Sequence, residues 1–146
     1  MNLLCIELDI SSTDAAAKLG IQVWVDDLCI HQHSHVTEPY HVRHEINDDE
    51  EKSHRLKIVM TGKTIEHTTL DKDGITVVKD VILNIRNISL DGINIDKMVH
   101  KLSTYQHNFN GTQPQCSDTF FGSMGCNGLV EFEFTTPGYQ WLLEHM

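Results

Sequence analysis

"LDKDGITVVKDVILNIRNISLDGINI" (residues 70–95) decides the fold. Two Asp-Gly pairs, Asp73-Gly74 and Asp91-Gly92, are hairpin-turn signals, because both residue types tolerate the positive φ of tight turns. Between them Val81, Leu83 and Ile85 alternate with Ile82, Asn84 and Arg86, and Ile88 and Leu90 follow. A period of two marks a half-buried strand. Ile93 and Ile95 are expected to pair back after the second turn.

The same alternation recurs on both sides. Leu4, Ile6, Leu8 and Ile10 predict a first strand; Leu56, Ile58 and Met60 a middle one; Val130, Phe132 and Phe134 a last one. Ile21–Val25 and Leu28 to about His35 read as strand with a bend at Asp26-Asp27, and Tyr40–Ile46 resumes after Pro39. "STDAAAKLG" (12–20) reads as a short helix capped by Ser12 or Thr13 and ended at Gly20. "NDDEEKS" (47–53) is a solvated turn, and "YQWLLEH" (139–145) closes the chain as one helical turn. "KMVHKLSTYQHNF" (97–109) reads as strand or irregular chain near Tyr105. "NGTQPQCSDTFFGSMGCNG" (110–128) reads as a long loop. About eight short strands separated by turns predict an all-β, antiparallel β-sandwich or jelly roll, with at most one or two short helices. Its 146 residues suit one domain.

The 21 acids outnumber the 11 Lys and Arg, for a formal charge of −10. That balance argues against nucleic acid and anionic membranes as partners, since both rest on neutralising phosphate. It suits neutral ligands and divalent cations. The N-terminal stretch lacks the basic region of a signal peptide, so cytoplasmic synthesis is expected. Cys5, Cys29, Cys116 and Cys126 form no CxxC pair; Cys116 and Cys126 flank a loop and can meet across it, although reduced thiols are expected.

Chemistry is legible in three places. "HQHSHVTEPYHVRH" (31–44) holds five of the ten histidines. His31, His33 and His35 share one strand face, and with Glu38 and His41 they are candidate ligands for Zn2+, Fe2+ or Mn2+. The competing reading is solvent-facing decoration of an outer sheet face, with mutually lowered imidazole pKa values. Asp71, Asp73, Asp91 and Asp96 in the Asp-Gly turns are candidate Ca2+ ligands, against a reading in which Asp serves the turn backbone. Tyr105, Phe120, Phe121 and Trp141 are candidate glycan-stacking rings, against a reading in which they cover the core. No Gly-x-Ser-x-Gly elbow or phosphate loop is present, and no nucleophile constellation stands out.

Two resemblances accompany these residues. "HRLKIVMTGKT", "VVKDVILNIRNISLDGINIDKMV" and "GLVEFEFTTPGYQWLLEHM", spread over roughly residues 54–146, resemble small uncharacterised β-sandwich proteins encoded by tailed phages of marine cyanobacteria. More distantly they resemble calcium-dependent carbohydrate-binding jelly-roll modules. These likenesses imply a non-enzymatic module that binds glycan or assembles, as a homo-oligomer or with other subunits, in a virion. The spacing of His31, His33 and Glu38 also matches part of the first cupin motif, implying as the alternative a jelly-roll metal-dependent enzyme. The cupin motif's flanking glycines fall here on Val25 and Glu45, and its second motif is missing.

Overall fold

Alternating side chains on long strands generate two facing sheets. The computed structural model describes residues 1–70 and 72–146, with backbone alone for Ile65 and Val78. In chain order the elements are β1 (Leu3–Ser12), β2 (Gly20–Val25), β3 (Leu28–His33), β4 (Tyr40–Asn47) and β5 (Lys52–Thr61). The small hairpin β6 (Thr68–Leu70) and β7 (Val77–Asp80) follows, then β8 (Leu83–Leu90), β9 (Ile93–Asn94) and α1 (Asp96–Leu102). The chain ends through β10 (Thr104–His107), β11 (Cys116–Asp118), β12 (Ser123–Met124), β13 (Gly128–Thr136) and α2 (Gly138–His145).

One sheet has the order β12-β8-β1-β4, with β9 also on β8; the other has the order β11-β10-β13-β5-β2-β3. All pairings are antiparallel, so the fold is the expected all-β sandwich. Its interior is filled by the predicted alternating sets. Leu4, Ile6, Leu8 and Ile10 of β1 face Leu56, Ile58 and Met60 of β5 and Val130, Phe132 and Phe134 of β13, all essentially inaccessible. Trp141 of α2 packs edge-on against Phe132 and caps one end.

β8 shows how the fold absorbs a break in period. Leu83 and Ile85 point inward, yet so do Ile88 and Leu90, an odd-to-even shift. Asn87 takes the extra residue, at φ 56°, where β8 slips against β1 between Glu7 and Asp9. A β-bulge of this kind leaves backbone N–H groups unpaired. Asp96 accepts from both Asn87 N–H (3.1 Å) and Ile88 N–H (2.9 Å), and so completes the bulge.

Several expectations are corrected. Asp14, not Ser12 or Thr13, caps the first short turn, a 3₁₀ helix at Ala15–Ala17. The chain from 97 opens as helix α1, and the expected long loop contains β11 and β12. The C-terminal turn extends to the eight residues of α2. Asp26-Asp27 is a full hairpin turn between β2 and β3, and β3 ends at His33. Among the described residues, no helix is long and apolar enough to cross a membrane.

Candidate metal centre

The predicted histidine site does not converge. His31 and His33 lie opposite Val23 and Ile21 on edge strand β3, on the face that points toward the core. They therefore close the sandwich edge instead of decorating an outer face. Across the gap, Tyr40 of β4 stacks on His33 at 4.0 Å between ring centres, and His31 lies 4.8 Å from His33. Burial, reinforced by His33, lowers the His31 pKa, and its Nε2 is buried without a partner. His41 sits on the other sheet, turned outward; its Nδ1 meets Asp9 at 2.6 Å and its Nε2 lies 3.5 Å from Glu7. Those two carboxylates raise its pKa. Glu38 is exposed beside Ser11 and Thr37.

The aspartates serve the backbone. Asp73 accepts from Ile75 N–H, Thr76 N–H and the Thr76 hydroxyl, which lower its pKa to about 2. Asp91 accepts from Cys5 N–H at 2.8 Å, and Asp96 completes the β8 bulge. Asp71 lies outside the described residues. Of the candidate stacking rings, Tyr105, Phe120 and Trp141 are buried, which withdraws their faces from a ligand; Phe121 is exposed.

Two histidine networks were not foreseen. The first joins strands that are remote in sequence: His54 Nδ1 meets Asp26 at 2.8 Å and its Nε2 meets Thr136 Oγ1 at 3.2 Å. The order carboxylate–imidazole–hydroxyl is that of a nucleophile triad. The hydroxyl is nevertheless directed elsewhere, donating to Glu50 C=O at 2.6 Å, and Thr136 is buried. A proton already given to a carbonyl is not available to a base, so this network is a structural tie. Burial would raise the Asp26 pKa, but the bonds from His54 and Arg55 N–H outweigh it and lower it.

The second network is a ligand cluster. β10 and β11 pair Tyr105 with Asp118, Gln106 with Ser117 and His107 with Cys116. Partners directly opposite share a face, and so do residues two apart, so His107, Cys116 and Asp118 fall on one face by register alone. His107 Nε2 lies 2.6 Å from Asp118 Oδ2 and 3.8 Å from Cys116 Sγ. All three ligating atoms lie within 4.8 Å of one another. Both neighbours address the same ring nitrogen, which excludes a Cys–His–Asp relay, since that needs opposite nitrogens. Convergence of three donors on one point is instead the geometry of metal ligation.

The imidazole is held before any ligand arrives. Tyr105 lies 4.8 Å from its ring centre, and Phe109 meets it edge-on at 4.6 Å. Tyr105 is itself fixed, its hydroxyl donating to Cys126 C=O and accepting from Cys126 N–H. On the other side β13 passes so close that a Cβ on Gly128 would lie 2.9 Å from the His107 Cβ and 2.3 Å from Gln106 O, which explains the glycine there. All four cysteines are free thiols. No protein-family model matches the chain, and no curated protein or solved structure is significantly similar to it.

Proposed function

We propose that the chain is a non-enzymatic β-sandwich module that acts through its surface, as a self-associating subunit of a larger assembly. The observation that carries this reading is an apolar stripe on α2. Trp141 and Leu142 face the core, while Tyr139 and Leu143, spaced i, i+4, are 65 and 73% exposed, and Met146 just past the helix end is 78% exposed. Leu3 lines the same cleft as Tyr139 and extends the stripe. Contiguous apolar surface beside an acidic, polar exterior is the mark of a contact site. In a two-fold dimer the contact is isologous, so one stripe serves both copies. The resemblance to phage proteins supports a particle as the setting.

Light scattering coupled to size exclusion tests this. A dimer or larger closed oligomer is expected, reduced to monomer by Tyr139→Glu with Leu143→Glu at unchanged circular dichroism. A wild-type chain that stays monomeric at every concentration would overturn it.

A glycan reading has one specific support. The exposed Tyr139 ring borders a cleft lined by Asn2, Asp48, Asp49 and Asp91, an aromatic face beside hydrogen-bonding groups. Glycan-array binding that is lost on Tyr139→Ala in a monomeric chain would favour it over assembly.

A further inference from the structure

The geometry points to a Zn2+ site formed by His107 Nε2, Cys116 Sγ and Asp118 Oδ2, with one coordination position left to solvent. Thiolate, imidazole and carboxylate together suit a borderline-soft cation, which selects zinc over Ca2+ or Mg2+. Zinc bonds of about 2.3 Å to sulfur and about 2.0 Å to nitrogen, set at a tetrahedral angle, place those two ligand atoms roughly 3.6 Å apart. The observed Nε2–Sγ separation is 3.8 Å. The carboxylate stands closer, at 2.6 Å, because it takes a direct hydrogen bond. Admitting the metal needs a retreat of under about 1 Å to the nitrogen–oxygen spacing of such a site. The Asp118 side chain is 54% exposed and free to make that move.

Proton accounting fixes a second consequence. Zinc on Nε2 displaces the ring proton to Nδ1, and the Cys116 thiol proton leaves to solvent. Nδ1 at present faces Phe109 N–H at a long 3.3 Å. That contact breaks on metal binding, while the turn's remaining bonds, such as Gly111 N–H to Asn108 C=O and Asn127 N–H to Asn110 Oδ1, hold the loop in place. The metal thus ties the three-residue edge strand β11 to β10 and is a staple for the sheet's open edge.

Cobalt and zinc titrations of the full chain test the site. One equivalent of Co2+ is expected to give tetrahedral visible bands with a thiolate charge-transfer band, displaced by Zn2+. Cys116→Ser abolishes the charge-transfer band, and both it and Asp118→Asn weaken Zn2+ at least about tenfold, the scale of losing a metal-site interaction. The double change His31→Ala with His33→Ala leaves both readings intact. In ¹⁵N NMR, zinc moves the His107 proton to Nδ1 and shifts the Phe109 amide. Absence of saturable binding, cobalt spectra without a thiolate band, or equal affinity in Cys116→Ser would each overturn the assignment.

Discussion

Lys63 places a charged group in the interior. Its side chain is 1% exposed, and its ammonium is held between Asp80 Oδ1 and Gly125 C=O, each at 2.5 Å. Asp80 also accepts from the Thr68 hydroxyl within the β6–β7 hairpin, and the Lys63 ammonium ties that hairpin to the loop before β13. Removing one partner of such a pair leaves a charge without compensation. Asp80→Ala is therefore expected to destabilise the chain by about 3 kcal/mol in chemical denaturation, whereas the double change Asp80→Ala with Lys63→Met recovers much of the loss. A single change that leaves the midpoint unmoved would show that the pair contributes nothing.

The histidines carry opposite signs at the same scale. His31 has a folded-state pKa below its ordinary value of 6.5, so below that pH the unfolded chain takes up the proton more readily than the folded one. Its contribution to stability is complete above about pH 6.5 and is lost as pH falls toward the lower folded value. His41, raised by Asp9 and Glu7, runs the other way: its contribution is present below 6.5 and is lost as pH rises through the folded value. NMR titration should place the His31 midpoint below 6.5 and that of His41 above it; the reverse order would contradict the placement of both rings. The crowding of the run predicts a lowered pKa, and His31 shows it, with burial as the larger cause; the rise at His41 was not legible, because it depends on which sheet each strand joins.

At the scale of elements, α2 approaches β1 closely at Gly138, which has no side chain. A Cβ there would lie 2.6 Å from Leu4 Cδ1, and Leu4 is wholly buried. Gly138→Ala is expected to cost about 1–3 kcal/mol, the range for overpacking a filled core. The check is a lower denaturant midpoint at unchanged slope; an unchanged midpoint would mean that Leu4 yields freely. Strands with strict alternation, β1, β5 and β13, were legible because burial of one face imposes the period directly. α1 was not, since only Val99 is buried along its seven residues and no periodic stripe can register in so short a helix. The Asp-Gly turns were legible as turns, and Asp73 serves its turn in the manner expected of that residue type.

For the whole molecule, the sandwich follows from alternating strands, whereas the ligand cluster follows from pairing. His107, Cys116 and Asp118 have no motif spacing, and a chain segment rich in Gly, Asn and Pro separates and follows them. Only the β10–β11 register makes them neighbours. The conspicuous histidines were a poor guide for the same reason: proximity in sequence on β3 and β4 divides them between two sheets. Among the described residues, His107, Cys116 and Asp118 are the group of three such ligands near enough to share an ion. The most direct test is elemental analysis of untagged protein purified without chelator and then dialysed. The account predicts about one zinc per chain in the wild type and in the His31→Ala, His33→Ala variant, and none in Cys116→Ser with Asp118→Asn. Zinc absent from the wild type, or zinc that follows His31 and His33, would contradict it.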